Sequence, residues 1–242
     1  MTFKPVAGLF LSALAVAPLW SSQPTADEII ANLTQAVGGT DRIKSVYSLK
    51  TTSHLLVAGT KGEASVVSTM KTPQMVYTEI TRGGTKFVEC FDGHIKWAKV
   101  DGGPAKKAPD EEAKSYAADT WVMIDGPLVD YKAKGHKVDF LGEEDVNGTP
   151  TYKMHVVMKS GNTEDIYLNQ KTYLPFKQVT HSSRNGHDTE TVGYMLDYKT
   201  YDGITMATTL LIKVGNAAPI RLKIDNIEFN FPLTEAFFKM PE

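Results

Sequence analysis

The stretch that decides the fold is residues 137–181, KVDFLGEEDVNGTPTYKMHVVMKSGNTEDIYLNQKTYLPFKQVTH, which has the pattern of an antiparallel meander. Its turns contain residues that accept positive φ angles, in Asn147-Gly148 and in Ser160-Gly161-Asn162. Along residues 151–158 apolar side chains alternate with mostly polar ones, which gives this strand one apolar face. The stretch therefore predicts an antiparallel sheet that is covered on one side and solvated on the other.

The strand pattern continues on both sides of this stretch. Towards the N-terminus, strands are predicted at a spacing of about ten residues, with turns such as Gly83-Gly84 and Asp92-Gly93 between them. Towards the C-terminus, further strands are predicted over residues 188–231, and the last one changes face parity near Asp225-Asn226, which predicts a β-bulge. We expect a mainly β fold with about 10–11 antiparallel strands.

Two segments have helical rather than strand character. The first begins at Thr25 with a capping box to Glu28 and continues with helical spacing to Val37, which predicts an N-terminal helix. The second is an insert, residues 101–135, in which strand periodicity is lost and an apolar cluster follows a helical stretch. An insert of this length is either disordered or a functional cover, and the apolar cluster favours a packed cover.

A sheet of this size usually curls, because closing or half-closing it protects its edges. We therefore expect a curved half-barrel with the N-terminal helix and the insert lying over its concave face as a plug or lid. These helices need not fill so wide an interior, and the space left over would be an apolar cavity.

The N-terminus, residues 1–23, has the pattern of an export signal that is cleaved. Lys4 supplies the positive region, and an apolar run of about 15 residues follows, which is shorter than the roughly 20 that span a bilayer. A signal anchor is the alternative. The only cysteine is Cys90, so the signal holds no acceptor for a lipid and no intramolecular disulfide can form. Residues 24–242 are expected to form one domain.

Composition argues against a nucleic-acid partner. The 242 residues carry 26 Lys and Arg against 28 Asp and Glu, for a formal net charge of −2. The chain as a whole therefore has no broad positive field that would attract nucleic acid or anionic lipid head groups.

Several short motifs spread over residues 25–242 carry a resemblance to a known family. They are Ala36-Val37-Gly38-Gly39, Lys71-Thr72-Pro73, Phe91-Asp92-Gly93-His94-Ile95-Lys96-Trp97, Val146-Asn147-Gly148, residues 163–168, Lys171-Thr172-Tyr173-Leu174-Pro175 and Phe238-Lys239-Met240-Pro241. With them the chain resembles the LolA-like family of exported lipid and lipoprotein carriers, and within it the broader group of outer-membrane lipoprotein-sorting proteins. The resemblance implies a half-barrel with an interior that holds acyl chains, a periplasmic location, and membrane-bound donor and acceptor proteins as partners.

The candidate binding site is the apolar interior. We expect it to be lined by large apolar side chains, several of them methionines that adapt to ligands of variable shape. The residues are Leu49, Leu55, Met70, Met75, Tyr77, Phe87, Phe91, Trp97, Trp121, Met123 and Leu128. The alternative is that these side chains pack on one another as an ordinary dry core.

Ionisable residues give little support for a reaction. His181 and His187 flank a predicted Asn185-Gly186 turn, but a two-residue hairpin there would pair His181 with Glu190 and so place the two imidazoles out of register for a metal. Cys90 is better explained as a buried structural cysteine than as a nucleophile paired with His94. No phosphate-binding loop, HExxH motif or nucleophile elbow is present in the sequence. We therefore expect no catalytic residues, no metal and no cofactor.

These observations predict a non-enzymatic carrier that binds a lipid, or the acyl chains of a lipoprotein, and moves it between envelope membranes. The alternative is a periplasmic sensor or scaffold that uses the same fold to bind a protein partner.

Overall fold

The computed structural model describes residues 23–119, 125–184 and 187–241. The predicted signal peptide, apart from Gln23, lies outside them. The helices are α1 (Ala26–Val37), α2 (Thr40–Lys44), α3 (Asp110–Asp119), α4 (Tyr131–Lys134) and a C-terminal 3₁₀ helix (Glu235–Phe238). The strands are β1 (Ser48–Val57), β2 (Ala64–Lys71), β3 (Met75–Arg82), β4 (Thr85–Phe91), β5 (Lys96–Val100), β6 (Lys106–Lys107), β7 (Lys137–Val146), β8 (Thr149–Val157), β9 (Thr163–Asn169), β10 (Pro175–Arg184), β11 (His187–Tyr201), β12 (Ile204–Val214) and β13 (Ile220–Phe229).

All these strands belong to one curved, open antiparallel sheet, so the prediction of a mainly β fold is confirmed. The described residues contain thirteen strands, which is more than the predicted 10–11. Part of the difference is β6, a two-residue strand that pairs with β5 through Trp97 and Lys107 inside an insert without strand periodicity. The predicted bulge is present, because the register of β13 against β1 shifts between Asn226 and Ile224.

The strand order is β6-β5-β4-β3-β2-β1-β13-β12-β11-β10-β9-β8-β7. Among the described strands, every pairing but one therefore joins neighbours in sequence, and the exception joins β1 to β13. In this order β6 and β7 are the two edges of the sheet. Residues 108–136, here called the connecting segment, must then run from one edge to the other, and they include most of the predicted lid insert.

One face of the sheet, called here the inner face, packs against α1. The helix begins with a formed capping box, in which Glu28 N–H donates to Thr25 Oγ1 at 3.2 Å and Thr25 N–H donates to Glu28 Oε2 at 2.7 Å. Ile29 and Leu33 of the helix lie in the main core cluster, which contains Met154 and Ile166 of the sheet. Leu128 and Val129 of the connecting segment belong to the same cluster, so this segment also packs on the inner face.

The opposite face, called the outer face, is partly covered by the C-terminus. Phe238 is fully buried and packs in a cluster with Val88, Cys90 and Trp97. The Trp97 indole N–H donates to the Phe238 carbonyl oxygen at 2.9 Å. The C-terminal segment therefore covers the outer face of β4 and β5. No helix among the described residues is long and apolar enough to cross a membrane.

Candidate functional site

Two adjoining cavities lie on the inner face. The first, of about 200 Å³, is bounded by Leu33 and Val37 of α1, by residues 125–129 of the connecting segment and by the sheet. The second, of about 490 Å³, lies over β10, β11 and β12, where Leu210 and Ile212 form part of its wall. Gln178 and Met195 line both cavities, which places them side by side with a shared wall.

The apolar wall of the second cavity continues across the sheet. The register places Leu210 beside Leu222 of β13, and Leu222 beside Leu55 of β1. Farther along the inner face, Val66, Ile80 and Phe87 are cross-strand neighbours on β2, β3 and β4. With the exception of Val66 these side chains are only half-buried, and none of the six belongs to a core cluster of the described residues. This inner-face band is apolar surface left accessible along the curved sheet.

Six of the predicted ligand-binding residues lie on this side of the sheet. Leu49 pairs with Met70, and Met70 pairs with Val76, which in turn pairs with Phe91. Leu55 and Phe87 belong to the inner-face band, and Leu128 lines the first cavity from the connecting segment. Leu49 and Phe91 are buried, so in this conformation a ligand cannot reach them, whereas Leu55, Met70 and Phe87 remain partly accessible.

Three predicted residues are not brought together with these six. Met75, Tyr77 and Trp97 lie on the outer face, because Tyr77 pairs with Cys90 and Cys90 pairs with Trp97. There they contact the C-terminal segment, and the Tyr77 ring lies 4.8 Å from the ring of Phe237. Trp121 and Met123 lie outside the described residues.

The cavity residues that sequence reasoning missed belong to the C-terminal half of the sheet: Met195, Leu210 and Ile212. A signal was present, since residues 204–214 keep apolar side chains at alternate positions. It does not say which face of the strand meets α1. That information comes from the pairing of β12 with its neighbours.

A polar group borders the otherwise apolar cavities. Gln178 Nε2 donates to Glu164 Oε2 at 2.6 Å, and Thr180 Oγ1 donates to Glu164 Oε1 at 3.3 Å. Glu164 is buried and Gln178 and Thr180 are half-buried. The wall is therefore amphipathic, with hydrogen-bonding side chains on β10 beside the aliphatic side chains of β12.

The connecting segment is joined to the sheet at its start by ionic and aromatic contacts. Lys96 Nζ lies 2.8 Å from Glu112 Oε1 and 3.3 Å from Glu89 Oε1. The rings of Phe91 and Tyr116 meet edge to face with their centroids 5.2 Å apart, which places α3 over the inner face of β4 and β5.

A second ion pair lies farther along the segment. Lys134 Nζ contacts Asp125 Oδ2 at 2.7 Å and also the Gly126 carbonyl oxygen. Burial lowers the pKa of Lys134 even though Asp125 opposes this shift. The pair thus ties α4 to the stretch that lines the first cavity.

The histidines and the cysteine considered in the sequence lie apart from one another in the structure. The β10–β11 register pairs His181 with Glu190 and Arg184 with His187, the out-of-register arrangement predicted from the turn. Among the described residues no group of three His, Cys, Asp or Glu side chains could hold a metal. Burial, with Asp92 and Glu89 nearby, raises the pKa of Cys90 to about 12, so its thiol stays protonated and is a poor nucleophile.

No protein-family model and no curated protein matches the chain. Solved structures do resemble it. A DUF1329 family protein from Desulfovibrio piger is 12% identical with a TM-score of 0.58, over 89% of this chain and 97% of that one. A domain from Vibrio parahaemolyticus, described as an outer membrane lipoprotein-sorting protein domain, is 13% identical with a TM-score of 0.56, over 88% and 97%.

The LolA superfamily protein NE2245 from Nitrosomonas europaea is 11% identical with a TM-score of 0.56, over 89% of this chain and 98% of that one. At these identities the likeness concerns the fold alone. It spans 88–89% of this chain and 97–98% of the three structures. The chain therefore has a LolA-like fold.

Proposed function

We propose that the protein is a non-enzymatic carrier that binds a lipid, or the acyl chains of a lipoprotein, on the inner face and moves it between envelope membranes. The observation that supports this most directly is the pair of adjoining cavities that open onto an accessible apolar band. An ordinary dry core would have closed this space with side chains, since protein interiors pack to the density of organic crystals.

The chemistry of the wall suits an amphipathic ligand. Burying each acyl methylene contributes about 0.8 kcal/mol, so about a dozen methylenes gain roughly 10 kcal/mol before the cost of immobilising the chain. Gln178 and Thr180 offer hydrogen bonds beside this apolar surface. A lipid with its chains along the band and its polar linkage near β10 would match both parts of the wall.

The connecting segment is the part that must move for release. Leu128 and Val129 lie in the core cluster beside α1, and Leu128 lines the first cavity. In this proposal residues 24–242 act as one domain, and residues 101–135 are the lid. The lipid-bound and lipid-free states would then differ chiefly in the lid.

The carrier would work in the periplasm. In this proposal residues 1–23 direct export and are then removed, and the mature protein is not lipidated because the signal contains no cysteine. Its ligand would come from a membrane-bound donor and pass to an acceptor at the other membrane.

The test is native mass spectrometry of the exported protein, followed by organic extraction of whatever is bound. A discrete added mass that extracts as phospholipid or as an acylated peptide is the expected result. Ile212→Asp should lower the loaded fraction because it places a charge in the second cavity. Leu141→Asp is the matched control, since Leu141 is 56% exposed. Trp121→Asp places a charge in the proposed lid and should also lower the loaded fraction.

A bare polypeptide mass, reproducible after gentle purification and after incubation with lipid, would overturn the carrier proposal. The protein-binding sensor or scaffold would then be the better account of the fold. Its expected signature is a stable protein complex without lipid.

A further inference from the structure

One end of the sheet has an unusual combination of apolar and basic residues. It comprises residues 55–65, around the β1–β2 turn, and residues 210–224, around the β12–β13 turn, and is called here the sheet tip. Because β1 pairs with β13 along this end, the two turns lie next to each other, and Ala58 N–H donates to the Pro219 carbonyl oxygen at 2.8 Å. The tip is thus one continuous surface built from both halves of the chain.

The outer face of the tip exposes large apolar side chains on either side of an arginine. Arg221 is the cross-strand neighbour of Leu56 on β1 and of Leu211 on β12. Leu56 is 40% exposed and Leu211 is 36% exposed. Two exposed aliphatic side chains that flank a guanidinium suit a lipid interface, where the apolar groups enter and the cation reaches the head groups.

The inner face of the tip is apolar as well. Val57, Ile220 and Ile212 form a cross-strand row there, and Val214 at the end of β12 is 40% exposed. Ile212 is also part of the wall of the second cavity. The apolar surface of the tip therefore runs into the proposed binding site without a break.

The charge of the tip differs from that of the whole chain. Its two ranges contain four cations, Lys61, Lys213, Arg221 and Lys223, and one anion, Glu63. All four cations are exposed, and none forms an ion pair within the described residues. The formal charge of −2 for the full sequence conceals this local positive surface.

We propose that the sheet tip docks on an anionic lipid bilayer, with Leu56 and Leu211 entering the interface and Arg221 and Lys223 contacting lipid head groups. Anionic lipid attracts basic segments over about a Debye length, and apolar side chains add burial once contact is made. Because the inner face of the tip is apolar as well and continues into the second cavity through Ile212, docking at the tip would place that end of the cavity near the membrane. The contact goes beyond the proposed carrier function, because it rests on the surface of the tip and not on an occupied cavity.

The test is flotation of the purified exported protein with vesicles. One set contains phosphatidylcholine with about a quarter phosphatidylglycerol, and the other contains phosphatidylcholine alone. We expect the wild type to float with the anionic vesicles, to float far less with the neutral ones, and to be released as salt is raised. Every variant carries the same N-terminus as the wild type, so any contribution from residues 1–23 cancels.

Two double variants separate local from overall charge. Arg221→Glu with Lys223→Glu should weaken binding by more than about tenfold, because two attractive charges become repulsive. Lys171→Glu with Lys199→Glu makes the same change in net charge at exposed positions near the opposite end of the strands, and it should leave binding nearly unchanged. Leu56→Ser with Leu211→Ser should weaken binding while the charge is kept. Thermal unfolding of each variant checks that it is folded.

The proposal is overturned if the wild type binds neither vesicle, if it binds both equally, or if the two charge-reversal variants lose binding to the same extent. Native mass spectrometry on the same preparations distinguishes failure of membrane docking from failure of the carrier function. A protein that floats but never carries lipid would keep the docking surface and overturn the carrier. A lipid-loaded protein that does not float would keep the carrier function and overturn the docking surface.

Discussion

Lys96 on β5 and Glu112 on α3 form an ion pair, with Nζ and Oε1 2.8 Å apart, across the junction between the sheet and the connecting segment. The Lys96 side chain is only 11% exposed, and its ammonium also lies 3.3 Å from Glu89 and 5.0 Å from the ring centroid of Tyr116. A buried cation that contacts two carboxylates and an aromatic ring holds α3 against the sheet.

Lys96→Met should loosen this junction. The variant leaves Glu89 and Glu112 without their shared cation, and breaking a buried pair on one side costs about 3–5 kcal/mol when the remaining charge stays buried. Since α3 can move into solvent, we expect detachment of the helix rather than global unfolding. Hydrogen exchange of the α3 amides should accelerate, and lipid should be lost sooner.

The matched control for this prediction is Lys107→Met. It removes the ion pair of Lys107 with Asp110, which lies 2.7 Å away at the start of α3, but both side chains are largely exposed. Exposed pairs contribute little, so exchange should stay at the wild-type rate. Equal acceleration in both variants would show that α3 responds to any loss of charge.

Gly38→Ala should destabilise the whole domain. Gly38 ends α1 at φ 145°, and a Cβ placed there would lie 2.4 Å from the Gly203 carbonyl oxygen in the β11–β12 turn. The backbone would have to separate at the place where α1 meets the sheet, so we expect a loss of about 3 kcal/mol or more in the free energy of unfolding. Urea denaturation measures it.

Gly59→Ala provides the comparison, because Gly59 also has a positive φ, 77°, but no heavy atom lies within 4 Å of its added Cβ. Only the left-handed backbone is then penalised, at about 1 kcal/mol. Similar losses in the two variants would mean that the contact with Gly203 contributes nothing.

Phe238→Ala separates the outer-face cluster from ligand binding. Phe238 is fully buried beside Trp97 and Cys90, so its truncation should cost about 3–5 kcal/mol. Phe237, at 43% exposure, should cost much less when changed to Ala. Neither variant should change the fraction of protein that carries lipid, as measured by native mass spectrometry, provided that it remains folded. A selective loss of lipid in Phe238→Ala would place ligand on the outer face.

Asp165→Asn should alter the acid stability of the protein. Burial alone would raise the pKa of Asp165, but hydrogen bonds from His155 and Lys153 outweigh it, so the pKa is lowered. A carboxyl with a lowered pKa in the folded state stabilises above its unfolded pKa of about 3.9, and this stabilisation is lost as pH falls through the folded value. The stability gap between wild type and variant should therefore be widest near neutral pH and should narrow below about pH 4.

Thermal unfolding followed by circular dichroism over a pH series measures this gap. A gap of constant size down to low pH would show that Asp165 contributes through packing or neutral hydrogen bonds rather than through its charge.

Turn residues made most of the strands predictable from sequence. Asn147-Gly148 and Gly83-Gly84 lie between β7 and β8 and between β3 and β4, as expected from their preference for positive φ angles. The alternation of side chains also predicted which residues share a face. These are local properties of the chain, so a single sequence contains them.

The assignment of each face to the interior could not be predicted in the same way. Strand β4 packs on both faces, with Phe91 beneath Tyr116 of α3 and Cys90 beneath Phe238. Large side chains therefore occur at both parities, and Tyr77 and Trp97 have the same pattern as Phe87 and Phe91. Only the contact with the C-terminal segment, more than a hundred residues later in sequence, separates them.

The β1–β13 pairing has a consequence for how the chain completes its fold. The Tyr47 N–H donates to Asn230 Oδ1, a partner 183 residues farther along, while every other pairing of the described strands joins sequence neighbours. A polypeptide that emerges from the ribosome N-terminus first can assemble β1 to β6 early, but β1 stays an open edge, liable to pair with other chains, until the last strand has emerged. The sheet is therefore completed by the joining of two meanders along one central seam. Slow closure of this seam would make the protein dependent on chaperones.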